Sequence, residues 1–104
     1  TITLDSFVKK EKIKFISVLK IDVDGSEKQV LYGAQKNLKK NKIKIILIEI
    51  NDKKKSYIKK EKHIINFLKN YNFELAEKRI MFSPSFLSNM RSGDYLLINK
   101  KFKN

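Results

Sequence analysis

The chain has no cysteine and no tryptophan, one proline, one histidine and three glycines. Without cysteine there are no disulfides and no thiolate metal sites, which fits a reducing cytoplasm. Nothing resembles a low-complexity linker, so 104 residues read as one domain. No run of about eighteen apolar residues occurs, so no transmembrane helix is expected. The opening TITLDSFVKK lacks the basic head, apolar middle and small-residue end of a signal peptide. Gly25, Gly33 and Gly93 lie far apart, so no G-x-G-x-x-G loop is present.

What the chain does have is lysine. The formal net charge is +13, yet only Arg79 and Arg91 are arginines. The lysines are dispersed. Lys9, Lys10, Lys39, Lys40, Lys53 to Lys55, Lys59 and Lys60 fall at expected helix ends or on helix surfaces, as a solvated surface would place them. The sharper alternative is an anionic partner: nucleic acid, a membrane surface or a phosphorylated substrate. Scarce arginine and no aromatic-basic interleaving argue against nucleic acid.

Hydrophobic residues make up 41% of the chain, enough for a modest core. Leu4, Phe7 and Val8 suggest a short helix capped by Asp5 or Ser6. The run ISVLKIDV, 16–23, reads as a buried strand. Ser26 and Gln29 then offer a capping box for a helix with Val30, Leu31, Ala34 and Leu38 on one face, ending near Asn41. IKIILIEI, 43–50, is so continuously aliphatic that a strand covered on both faces is expected. A second helix spans 56–71, followed by a strand over 73–79, a loop over 80–93 and a last strand over 95–99. Strands joined through helices run parallel, while the last two can be antiparallel. The fold class is α/β with an antiparallel pair at one edge.

Two acids stand where the first strand gives way to its helix. Asp22 and Asp24 are two apart, which puts them on one face of the strand. Glu49, Asn51 and Asp52 end the next strand, and neighbouring strands would share one polar rim. In open α/β sheets that rim is where ligands bind. Turn chemistry accounts for Asp24-Gly25-Ser26 on its own. It accounts less well for Asp22 and Glu49, which lie within apolar runs where an unpaired charge is costly. The order D-x-D-G fails as a calcium loop, because the sixth and twelfth places from Asp22 hold Glu27 and Gly33. His63, among lysines, reads as a surface residue.

TLDSF, then LKIDVDGSEKQVLYGAQKNL, then IKIILIEI, and finally YLLI together resemble the C-terminal half of FkbM-type methyltransferases. The family usually carries glutamate where this chain has Asp24. The resemblance implies a partial Rossmann-like sheet corresponding to the fourth to seventh strands of an S-adenosylmethionine-dependent enzyme, the last strand antiparallel. It implies O-methylation of a small molecule or sugar. Asp22, Asp24 and Glu49 are then the candidate catalytic residues, with Asp22 nearest the cofactor. In related O-methyltransferases a divalent metal sits among acids from these strand ends, and Asp22, Glu49 and Asn51 could imitate it, although no metal is assigned. The glycine-rich cofactor loop and the acid that grips the ribose have no counterpart here. The expectation is therefore a fragment, inactive alone, that needs a missing N-terminal half or self-associates through the exposed edge of its first strand. The reading from another class is a non-catalytic basic module that binds an acidic partner.

Overall fold

A computed structural model of the chain describes residues 2–22, 25–81 and 89–102. Four strands, β1 (Ile16–Ile21), β2 (Ile43–Lys53), β3 (Phe73–Met81) and β4 (Met90–Asn99), form one sheet in the order β1-β2-β4-β3. β1 and β2 are parallel, and β4 runs antiparallel to both of its neighbours. The helices are α1 (Leu4–Lys10), α2 (Glu27–Tyr32), α3 (Gln35–Lys39) and α4 (Lys54–Lys69). No helix among the described residues is long and apolar enough to cross a membrane.

The core lies on one face of the sheet. Ile21, Ile46, Ile48, Tyr95 and Leu97 pack there against Leu31, Leu38, Tyr57, Ile64 and Leu68 of the helices. The opposite face is open among the described residues: Val18 is 51% exposed and Leu47 38%. This corrects the expectation for β2. Its odd and even positions have different surroundings, because α2, α3 and α4 all cover the Ile46–Ile48–Ile50 side.

The first helix also departs from expectation. Thr3 is its cap, accepting the Ser6 amide at 3.1 Å. Asp5 instead reaches the start of α3 and accepts the amides of Lys36 at 2.9 Å and Asn37 at 3.1 Å. A carboxylate there satisfies free amides and complements the helix dipole. The helix expected between the first two strands is broken at Gly33-Ala34 into α2 and α3. Gly33 permits this junction because a Cβ would meet the Thr3 Cβ at 3.0 Å. Ser26 stands at the start of α2, but its side chain makes no capping hydrogen bond, so the expected capping box is not formed.

The last strand begins at Met90, five residues earlier than expected, and β3 extends to Met81. The polar composition of MRSGD reads as loop. Yet these residues pair with β2 on one side and, from Ser92 onward, with β3 on the other, which satisfies their backbone groups. Asn41 and Asn72 adopt left-handed backbone conformations, with φ of 54° and 74°, and turn the chain into β2 and β3. Their side chains bond each other at 3.1 Å, and the buried Asn99 amide donates to Asn41 and to the Ile43 carbonyl.

Candidate functional site

The parallel register pairs Ile21 with Ile48, so the next position places Asp22 beside Glu49. The antiparallel register pairs Glu49 with Asp94 and Asp94 with Arg79. Three acids and an arginine thus form one row across four strands, on the face that no described helix covers. An open cavity of about 760 Å³ lies over this row, lined by Lys20, Asp22, Glu49, Asp94 and Arg79 among others.

Asp22 is exposed and Glu49 half-buried. Glu49 is held above the usual carboxylate range, first by a side-chain hydrogen bond with Asp22. Burial and the negative charges of Asp22 and Asp94 push it the same way, and a hydrogen bond with Asn51 opposes them. Glu49 therefore takes up a proton more readily than a free glutamate does. With Asp22 beside it, the pair can both donate to and accept from a substrate hydroxyl. The neighbouring strand ends expected from sequence are thus brought together. Asp24 lies outside the described residues, as do Val23 and Pro84. Among the described residues no cluster of three or more His, Asp or Glu side chains is placed to hold a metal ion.

A second polar group lies under the same rim. Glu27, fully buried, accepts from the Lys60 ammonium at 2.8 Å and from the Asn51 amide at 3.1 Å. Lys60 also donates to the Asn51 carbonyl at 2.7 Å. Both polar backbone groups of Asn51 are thereby tied to α2 and α4, which fixes the end of β2 two residues beyond Glu49. This corrects the assignment of Lys60 to the solvated surface. Its ammonium lies on the inner side of α4, where Glu27 compensates its charge.

A third polar chain joins α4 to the sheet. The Tyr57 and Tyr95 hydroxyls are 2.6 Å apart, and Tyr95 donates to Glu61. Burial raises both tyrosines above their ordinary value, Tyr95 by far the more. Burial also acts to raise Glu61, but hydrogen bonds from Tyr95 and Lys78 outweigh it, and Glu61 is lowered. The Arg91 guanidinium stacks 4.8 Å from the Tyr57 ring centroid. His63 is exposed, its Nε2 3.0 Å from the Tyr32 hydroxyl and away from the acidic row.

Sequence reasoning missed Asp94, Glu27 and Lys60. Lys60 did leave a signal. It falls between Tyr57 and Ile64 at helical spacing, so it lies near the apolar stripe of α4. Asp94 left none, because only the β2–β4 register brings it opposite Glu49.

The cofactor implied by the resemblance can be tested against the glycines. A Cβ at Gly33 would meet Thr3, and one at Gly93 would meet Tyr57, Ile80 and Tyr95. Both glycines serve internal packing. Gly25, with φ of +75° and open space around it, is the only one of the three that faces outward. One such turn offers no cradle for the methionine end of a cofactor, so the described residues do not by themselves fit S-adenosylmethionine.

The described residues form a small α/β domain whose four-stranded mixed sheet brings Asp22, Glu49 and Asp94 into one row. A family model for the methyltransferase FkbM domain matches residues 1–75, and the chain belongs to that family. No curated protein and no solved structure matches it.

Proposed function

We propose that this chain is the acceptor-side half of an S-adenosylmethionine-dependent methyltransferase acting on a hydroxyl of a small molecule or sugar, and that it is inactive alone. On this reading residues 1–104 make up the C-terminal half of the domain. β1 to β4 stand for the fourth to seventh strands, and β4 is the antiparallel last one. The single observation that carries the reading is the hydrogen-bonded Asp22–Glu49 carboxyl pair on adjoining parallel strands, in a chain of the FkbM family.

The proposed division of labour rests on likeness to the family. Asp22, exposed at the end of β1, lies nearest the cofactor and accepts the hydroxyl proton. Glu49 holds Asp22 in place and keeps the proton count of the pair. Asp24, outside the described residues, is assigned to the acceptor by the family resemblance alone. A second segment of polypeptide supplies the cofactor cradle that the glycines do not form. Family membership favours this reading over a non-catalytic basic module.

The test is methyl transfer by the complete polypeptide containing this segment, with labelled cofactor and a panel of hydroxylated acceptors. Loss of a positioned general base costs about 10² to 10⁴ in rate. Asp22→Asn is expected to fall in that range while its melting temperature stays close to that of the wild type. Glu49→Gln and Asp24→Asn should also lower turnover. Wild-type turnover in all three variants would reduce these acids to strand and turn chemistry.

A further inference from the structure

β2 outruns β1. Among the described residues their parallel pairing stops at Ile21 and Ile48, while β2 runs on to Lys53. On its other edge β2 stays paired with β4 through Lys53. Each residue of a strand turns its N–H and C=O to one edge, and successive residues alternate. Asn51 turns both groups to the edge where the β1 pairing has ended, and away from water such groups need partners. Glu27 and Lys60 supply them, as a strand would. The Glu27 carboxylate accepts the Asn51 amide at 3.1 Å, and the Lys60 ammonium donates to the Asn51 carbonyl at 2.7 Å.

An ion pair this deeply buried is a poor source of stability, because desolvation offsets much of its attraction. What this pair achieves is placement. Asn51 lies two residues beyond Glu49 on the same face of β2, and its side chain hydrogen-bonds Glu49. Glu49 in turn hydrogen-bonds Asp22. Contacts therefore run from α2 and α4, through the backbone of one residue, to the acidic pair. We propose that Glu27 and Lys60 are positioning residues: by holding the Asn51 backbone they fix the Asn51 side chain against Glu49, and so aim the Glu49 carboxyl at Asp22. The consequence for turnover rests on the methyltransferase reading, whereas the placement of Glu49 does not.

The titration of the Glu49 carboxyl, followed by NMR of its carboxyl carbon in the complete polypeptide containing this segment, tests the placement. Glu49→Gln identifies the signal. Lys20 of β1, Asp22 just beyond it, Asp94 of β4, and Glu77 and Arg79 of β3 line the same cavity and stay in place in the other variants. Asn51→Ala removes a donor to the Glu49 carboxylate and shifts its midpoint upward. Glu27→Gln/Lys60→Met removes both charges together, so their direct effects on Glu49 oppose each other, and it shifts the midpoint the same way. Adding Asn51→Ala to that double variant shifts it no further. Lys60→Arg, which keeps a donor for both partners, leaves it unchanged. In methyl transfer the double variant loses about tenfold or more in kcat at unchanged KM, as a displaced reacting group requires. Circular dichroism checks the fold of each variant. If the double variant fails to fold, Glu27→Asp takes its place, because it keeps the charge and draws the carboxylate back from the Asn51 amide by one methylene. A Glu49 midpoint that neither variant moves overturns the proposal. So does an Asn51→Ala shift that is as large without the ion pair as with it. A polypeptide that transfers no methyl group at all defeats the methyltransferase reading, and the titration then still decides the placement.

Discussion

The Lys60 ammonium stands 2.8 Å from the Glu27 carboxylate, beneath the end of β2 and almost out of contact with water. This ion pair joins α2 to α4 and holds both polar backbone groups of Asn51. Removing one partner leaves the other charge buried and unpaired. Lys60→Met should therefore cost about 3 kcal/mol, at the lower end of the range for broken buried pairs. The urea midpoint measures this, and a loss below about 1 kcal/mol would mean that water reaches Glu27 freely.

Glu49 makes stability depend on pH in an unusual direction. Its folded pKa is raised above the ordinary value of 4.5, so the folded state holds the proton more tightly than the unfolded chain does. The stability it contributes is fully present below 4.5 and is lost as pH rises through the folded value. Glu49→Gln abolishes that loss. The variant should be more stable than the wild type at pH 7, with the difference disappearing below 4.5. Paired urea titrations across this range check the sign. A Glu49→Gln variant less stable than the wild type at neutral pH would contradict it.

Gly93 lies directly beneath the Tyr57 hydroxyl, and an added Cβ would collide with it. Overpacking of this kind costs about 1 to 3 kcal/mol. Gly93→Ala should lose that much, and Tyr57→Phe in the same chain should recover part of it by removing the obstructing oxygen. A double-mutant cycle with no coupling between the two changes would place the strain elsewhere.

The legible parts of the fold were those governed by local pattern. The aliphatic run at 43–50 and the β-branched run from Ile16 each gave a strand, and their parallel pairing brought Asp22 beside Glu49 as the spacing suggested. Where a distant residue decides the local structure, pattern alone misled. Asp5 looks like a cap for its own helix, but it serves α3 some thirty residues away. Glu27 looks like a polar first-turn residue, and only the arrival of Lys60 makes its burial tolerable. The MRSGD segment has no strand pattern. It becomes a strand because it enters between β2 and β3, where both sides offer hydrogen bonds.

Asp5 provides a direct check on that lesson. Asp5→Ala removes the acceptor for two α3 amides and for the Asn37 side chain. The expected loss is about 1 kcal/mol, as for other caps. Amide hydrogen exchange should quicken in α3 and leave the central strands unchanged. Unaltered exchange at Lys36 and Asn37 would show that the cap contributes nothing.

The central claim is that this chain carries the acceptor-side acids of a methyltransferase but not the cradle for its cofactor. Isothermal titration of S-adenosylmethionine into the 104-residue chain tests it most directly. The account predicts no saturable heat, because Gly33 and Gly93 are committed to internal packing and Gly25 forms a lone turn. A one-to-one isotherm with a micromolar Kd would contradict it and show that these residues hold the cofactor unaided.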